Sequence, residues 1–338
     1  MSLSGRDRPT LENVAQRAGV SRATASRVVN GSTSVAPHIR DRVLGAVDAL
    51  GYVPNQAARS LVTQRTDSIA LVMFETASRV FSDDPMFSGI IRGCTLELEA
   101  ADKQLVLMMA GPNSPSHDRV ERYTTGGHVD GVITFSTHGA EPLPERLIRS
   151  GVPVVCSGRP MTHHPVPYVD VEQEGGARAA VRYLLDSGRR RIATIAGPQD
   201  MSAGIDRLKG YRAELRDSNR RSIVAVGDFT RESGAQAMRQ LLEDDPQLDA
   251  VFAANDLMAD GALRILRQAG RRVPEDIAMI GFDDMEFTRY TEPPLTTIRQ
   301  PITEIGRTLV RQLLRLSAGD QIEPAMVLPT ELIRRESA

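Results

Sequence analysis

Two arginines, Arg22 and Arg27, stand in the short segment Ser21–Asn30, S-R-A-T-A-S-R-V-V-N, with only small, polar or aliphatic residues around them. Spaced this way on a helix, they suit base edges, because a guanidinium matches the paired O6 and N7 acceptors of guanine. Ala23 beside them offers an apolar contact, while Ser21, Thr24 and Asn30 can hold phosphates and set register without reading sequence. A second group lies far along the chain: Arg207 in D-R-L-K-G-Y, Asn255 in A-N-D-L, and Asp283 in G-F-D-D. A carboxylate accepts hydrogen bonds from two neighbouring hydroxyls, an asparagine donates and accepts at once, and arginine supplies a fixed fork of donors. That chemistry fits a small polyhydroxylated ligand. Asp256 and Asp284, next to two of these residues, read as structural neighbours.

Catalytic chemistry is harder to find. The chain has no G-x-x-x-x-G-K-[ST] phosphate loop, no H-E-x-x-H zinc motif and no G-x-S-x-G nucleophile elbow. Gly175-Gly176 lacks the dinucleotide fingerprint. His163-His164 sits in a proline-flanked loop without a third ligand, and Asp83-Asp84 and Asp244-Asp245 read as solvated turn residues. We therefore expect no enzyme activity, no metal and no cofactor.

The elements that must position these residues follow from periodicity. Leu11, Val14 and Ala18 recur at helical spacing, with Ala15 on the same side. Gly19 then permits the left-handed turn of a sharp helix–helix junction. Ser21 is a good N-cap for a second helix, Arg22 to Asn30, whose Ala25, Val28 and Val29 pack back on the first. Arg22, Ala23 and Arg27 are left facing outward, where a helix-turn-helix presents its recognition helix to the major groove. Pro37 opens a third helix, with Ile39, Val43, Val47 and Leu50 on one face and Gly51 as its stop.

Charge follows the same division. Residues 1–66 carry nine Arg against four Asp/Glu, a net +5, whereas the remainder carries 32 basic against 39 acidic residues, a net −7. A basic front end on an acidic body fits a nucleic-acid module attached to a sensor. With 338 residues and 41% apolar content, the chain is large enough for two or three domains. It has no long apolar run, its N-terminus has no apolar leader core, and its only cysteines are Cys94 and Cys156. These features point to a cytoplasmic protein with no membrane association.

Beyond about Asp67, apolar strand runs alternate with amphipathic helices: Ile69–Phe74, Gln104–Met109, Val129–Thr134, Pro153–Cys156, Arg191–Ala196, Asp249–Ala253 and Ile277–Gly281 are the strands. This is a doubly wound parallel α/β pattern. H-V-D-G-V-I-T-F is echoed later by Q-L-D-A-V-F-A-A, so two similar lobes are expected. Asn255 and Asp283 then fall at the carboxyl ends of strands, where open α/β sheets hold their ligands.

Thr10 to Leu61, with V-S-R-A-T-A-S-R-V-V-N-G and G-Y-V-P-N-Q-A-A-R-S-L, resembles the DNA-binding headpiece and hinge of the lactose/galactose repressor (LacI/GalR) family. The body segments I-A-T-I-A-G-P, D-A-V-F-A-A-N-D-L-M-A-D-G-A, V-P-E-D-I-A-M-I-G-F-D-D and P-P-L-T-T-I-R-Q-P resemble the effector-binding core of the same family, so the likeness covers essentially the whole chain. It implies an all-α helix-turn-helix headpiece (1–52), a hinge helix and linker (53–66), and a two-lobed core with the periplasmic-binding-protein fold (67–338). Lobe one would be about 67–167 plus 299–323, and lobe two about 168–298 plus 324–338, with crossovers near Val166–Asp170 and Thr296–Pro301. The resemblance places Arg207, Asn255 and Asp283 at effector-binding positions and puts Phe87 and Phe229 where rings face the ligand. Arg159 in S-G-R-P is a further cleft candidate. It also implies that Asn55 to Leu61 folds into a hinge helix on DNA, with Asn55 and Ala58 on it, Ala57 and Ala58 at the close approach of two such helices, and Leu61 wedged into the minor groove.

The function implied is a homodimeric transcriptional repressor on pseudo-palindromic operator DNA, controlled by a small effector, a sugar by preference. A purine- or nucleoside-responsive co-repressor is the alternative, and a solute-binding protein or enzyme on the same α/β core is a further one. One departure from the family pattern is Ala36, where a capping Ser is usual. It costs the third helix about 1 kcal/mol. The chain also lacks a leucine-heptad tail, so a dimer is the expected assembly.

Overall fold

The computed structural model describes residues 9–32, 34–53, 65–111, 116–162 and 164–338. It divides into two compact units, Met1–Thr66 and Asp67–Ala338.

The first unit packs α1 (Leu11–Ala18), α2 (Arg22–Val29) and α3 (Pro37–Leu50) around Val14, Ala15, Ala18, Ala25, Val28, Val43 and Ala46. Thr10 and Asn13 form a reciprocal capping box at the start of α1. Gly19 ends α1 with φ 62°, the turn a Cβ would strain. All three helices lie within a residue of their expected bounds. Ala36 makes no side-chain cap to α3, as its identity dictates, and Pro37 supplies the first turn instead.

The second unit contains two six-stranded sheets. Lobe one is built on β1 (Ser68–Met73), β2 (Gln104–Met109), β3 (Gly131–Phe135), β4 (Val154–Ser157), β5 (Tyr168–Val171) and β11 (Ala325–Leu328), in the order β11-β5-β4-β3-β1-β2. Lobe two is built on β6 (Ile192–Ala196), β7 (Ile223–Val226), β8 (Ala250–Ala253), β9 (Ala278–Asp283), β10 (Thr296–Arg299) and β12 (Glu331–Ile333), in the order β12-β10-β9-β8-β6-β7. Strands pair in parallel throughout, except for β12 against β10. The two halves of the sequence echo map to equivalent strands, β3 and β8.

Alternation along the strands gives each sheet two apolar faces. Ile69, Leu71 and Met73 enter one layer of lobe one, and Ala70, Val72 and Phe74 the other. Helices cover both faces. In lobe one, α4 (Ala77–Val80), α5 (Pro85–Ala100), α6 (Ser116–Thr125) and α7 (Leu143–Arg149) are joined by α12 (Ile302–Ser317). Lobe two carries α8 (Gln173–Asp186), α9 (Ser202–Asp217), α10 (Arg231–Asp244) and α11 (Asp256–Gln268). Helices α5 and α12 cross closely because Gly93 and Gly306 face each other. A Cβ on Gly93 would lie 2.2 Å from the Thr303 carbonyl oxygen.

The lobe boundaries need correction. The sequence reading put 168–298 and 324–338 in lobe two, but β5 pairs with β4 and β11 pairs with β5, both in the first sheet. The chain therefore crosses between lobes after Val171, at Gln300–Pro301 and at Pro329–Thr330. Short apolar runs such as Y-V-D-V and A-M-V-L carry no lobe label. The register with a distant partner decides where they pair.

Candidate functional site

In the N-terminal unit, Ser21 sets the start of α2: its Oγ accepts from the Thr24 amide at 3.1 Å and lies 2.9 Å from Thr24 Oγ1. Ala25 and Val28 turn inward, leaving Arg22, Ala23 and Arg27 exposed on one side. Arg22 pairs with Glu12 of α1, with both side chains mostly in water. Such a pair contributes little and exchanges readily for another anion. Asn30 is the C-cap of α2, and its Nδ2 donates to Ser26 Oγ at 3.3 Å. Asn55, Ala57, Ala58 and Leu61 fall within 54–64, outside the described residues, as does His163.

The second site lies between the lobes of the core, at the carboxyl ends of both sheets. It is a cleft with about 880 Å³ of empty space, a figure that includes the open solvent at its mouth. Arg207, Asp283, Asn255, Phe87 and Phe229 all line it.

Lobe two supplies buried charge. Arg207, on α9, is 4% exposed, and its Nε donates to Gln173 Oε1 at 2.7 Å. Its Nη1 donates to the Ala254 carbonyl and lies 3.4 Å from Asp283 Oδ1. The guanidinium stacks on the Phe282 ring, 3.6 Å from the centroid. Gln300 Nε2 donates to Asp283 Oδ1 at 2.6 Å. Burial pushes the Asp283 carboxyl up to about 7, against the pull of Arg207, and lowers the Arg207 pKa. Asp283 ends β9 with φ 115°, a backbone conformation that persists only where its surroundings impose it and that is common at ligand sites.

Asn255 caps α11. Its Oδ1 accepts from the Met258 amide at 2.9 Å, and its Nδ2 donates to the Phe229 carbonyl at 3.0 Å. The amide thus braces the cleft wall. Asp256 and Asp284 are structural, as their positions suggested. Asp256 accepts from Thr297 Oγ1 at 2.6 Å and the Met285 amide at 2.8 Å, and Asp284 accepts from Arg299 Nε at 2.7 Å and from Arg335.

Lobe one supplies an apolar wall with hydroxyls. Phe87 is buried and meets Phe135 edge-on at 5.6 Å, beside Ile90, Val169 and Ile305, while Ser136, Thr137 and Ser157 add polar edges. One residue here was misread. Asp84 is not a solvated turn residue: it caps α5 through Met86 N at 3.0 Å and lines the cleft opposite Asp283. Burial raises its pKa. The dipeptide Asp84-Pro85, an N-cap followed by proline at the first helical position, was the signal that could have found it.

Arg159 is also corrected, because it does not line this cleft. Its Nη2 lies 2.8 and 2.9 Å from the Asp206 carboxylate, bracing lobe one against α9. Gln173, Gln300 and Arg79 line the cleft without having been singled out. They reach it through the crossovers and a short helix that periodicity does not reveal. Among the described residues, no cluster of three or more His, Cys, Asp or Glu could hold a metal ion. Nor is any helix among them long and apolar enough to cross a membrane.

An exposed, arginine-bearing second helix and a two-lobed core with a cleft lined by buried polar groups between its lobes are the features of a DNA-binding sensor. Residues 10–55 match the model of bacterial regulatory proteins of the lacI family, and residues 181–338 match a periplasmic binding protein-like domain. The chain is 48% identical to the HTH-type transcriptional regulator CelR of Thermobifida fusca, over 99% of this chain and 100% of that protein. It is 32% identical to catabolite control protein A of Priestia megaterium, over 97% and 98%. Among solved structures, a CelR–cellobiose complex aligns with TM-score 0.78 at 46% identity, covering 98% of this chain and 100% of that one. The lac repressor dimer bound to operator and the anti-inducer ONPF aligns with TM-score 0.86 at 28% identity, covering 98% and 99%. The chain belongs to the LacI family, and it is a DNA-binding transcriptional regulator, not an enzyme.

Proposed function

We propose that this regulator is a cytoplasmic, homodimeric repressor whose affinity for a pseudo-palindromic operator is set by a sugar of the β-linked gluco-disaccharide class, with cellobiose as the leading case. The observation that carries the reading is the cleft itself: buried Arg207, Asp283 and Gln300 on one side, Phe87 and Phe135 on the other. A sugar presents hydroxyls in its plane and C–H groups on its faces, and these two walls complement both. The similarity to a regulator solved with cellobiose supports the choice of sugar.

On operator DNA, Arg22 and Arg27 read base edges with Ala23 in apolar contact, while Ser21, Thr24 and Asn30 hold phosphates. Asn55, Ala58 and Leu61 belong to the hinge contact in this reading. In the cleft, Arg207 and Asp283 bind the sugar directly, Phe87 and Phe229 flank it, and Asn255 holds the wall. Residues 1–52 act as headpiece, 53–66 as hinge and 67–338 as core. Coupling is reciprocal, so operator must change sugar affinity by the factor by which sugar changes operator affinity.

Calorimetric titration of the purified protein with cellobiose, other sugars and purine nucleosides, repeated with operator bound, tests this. We expect cellobiose to bind and to shift operator affinity. A purine that binds where cellobiose does not would replace the sugar reading with a co-repressor one.

A further inference from the structure

The lobes meet along the mouth of the cleft through a few polar contacts. Arg231 of α10 pairs with Asp83 of lobe one and with Asp260 of α11. Arg79 Nη2 donates to the Asp228 carbonyl at 3.0 Å. The Gly139 amide donates to the Asp200 carbonyl at 2.6 Å, and beside it His138 Nδ1 lies 2.9 Å from Asp200 Oδ2. Only His138, among these groups, has an ordinary pKa near neutrality.

His138 sits between two carboxylates that belong to different lobes. Its Nε2 is 3.5 Å from Oε1 of Glu75, which follows β1 and has a side chain only 9% exposed. Glu75 Oε1 also accepts from Ser136 Oγ at 2.9 Å and lies 3.3 Å from Arg79 Nε. The charged groups around the imidazole are therefore Glu75 and Arg79 from lobe one and Asp200 from the loop between β6 and α9. A neutral imidazole can donate from only one ring nitrogen and would turn a lone pair toward the other carboxylate, whereas the cation donates to both.

We propose that His138 is a positioning residue that clasps the cleft shut: its protonated ring bridges Glu75 of lobe one to Asp200 of lobe two, so the effector is held most tightly when the ring carries its proton. The inference rests on the sugar reading of the cleft and adds the control of closure to it. The nearby Glu75 carboxylate raises the His138 pKa, burial opposes this, and Asp200 raises it again. Opening the lobes removes Asp200, so the closed state binds the proton more strongly than the open one. Closure is then favoured in full below the open-state pKa, and the advantage is lost as pH rises through the closed-state value. Arg231–Asp83 keeps its charge throughout and holds the lobes at any pH in this range.

The test is cellobiose affinity of the full-length protein from pH 6 to pH 8.5, by calorimetry. The sugar does not titrate, but Asp283, pushed up to about 7, does so in the same window. The share due to His138 is therefore the difference between wild type and His138→Gln. At the acid end, His138→Gln and Asp200→Asn should each weaken binding roughly fivefold, and their difference from wild type should shrink toward pH 8.5. The double variant should be no worse than either single one. Arg231→Gln should weaken binding evenly across the range. A His138→Gln protein with the wild-type pH profile would overturn the clasp.

If wild type binds no cellobiose, the sugar reading fails, and the clasp is decided by the titration of His138 in the free protein, followed by NMR with labelled histidine. Asp200→Asn must then lower the His138 midpoint, and an unchanged midpoint would overturn the proposal.

Discussion

Arginine is in opposite physical situations in the two functional regions. On α2, Arg22 and Arg27 stand in water, held by a helix whose caps and core contacts all lie within about thirty residues. In the cleft, Arg207 is buried against Phe282 and depends on Gln173, Ala254 and Asp283, groups scattered over more than a hundred residues. An exposed cation is free to meet an incoming anion and adds little to the fold. A buried one must be satisfied before any ligand arrives and is part of the fold. The same side chain is thus exposed and available in one region and built into the fold in the other.

The sharpest way to break this contrast is to delete the buried partner. Asp283→Ala leaves Arg207 without its carboxylate and should cost about 3 kcal/mol of core stability, together with the response to sugar, while operator binding persists. Calorimetric unfolding and operator titration read both, and a fully sugar-responsive Asp283→Ala protein would end the cleft assignment. The exposed arginine should behave in the reverse manner. Arg22→Ala should lose roughly 1–3 kcal/mol of discrimination at one base pair of each half-site, with melting temperature and sugar affinity unchanged, as measured by binding to an operator-variant panel.

Changing pH should separate the regions without mutation. The Asp283 carboxyl has its pKa raised in the native state from an ordinary 3.8 to about 7. The native state therefore binds the extra proton, and stability falls as pH rises between those values, then levels above 7. Asp283→Asn should remove that slope, so its melting temperature relative to wild type climbs with pH up to about 7 and no further. The headpiece transition should show no matching change.

The smallest effect expected is a gain. Ala36→Ser should supply the missing N-cap of α3 and stabilise the headpiece by about 1 kcal/mol, visible as later loss of headpiece helicity on heating.

The contrast also explains what the sequence disclosed. The headpiece was legible nearly to the residue, because Gly19, Ser21, Pro37 and Gly51 are local punctuation. Seven strands, β1 to β4, β6, β8 and β9, and the two-lobed α/β order were legible from apolar runs and from the echo between β3 and β8, whereas β5, β7, β10, β11 and β12, each only three or four residues long, were not. The lobe boundaries were not, since β5 and β11 are assigned by pairing partners far away in the chain. Asp84 was passed over as a turn residue although its cap signal was local, because nothing local says that a cleft lies in front of it. Arg159 looked like a cleft residue until Asp206, brought up by α9, claimed it.

The three crossings between lobes also govern the order in which the molecule can be completed during synthesis. Lobe one begins first, yet α12 and the edge strand β11 are the last large pieces of it to be made, after almost all of lobe two. Until they emerge, one face of α5 and the open edge of β5 lack their covers, and a free strand edge invites pairing with other chains. A nascent chain stopped near residue 300 would hold a nearly complete second lobe beside an unfinished first one. Ribosome-bound intermediates of this protein should therefore be most dependent on chaperones while α12 and β11 are still unmade.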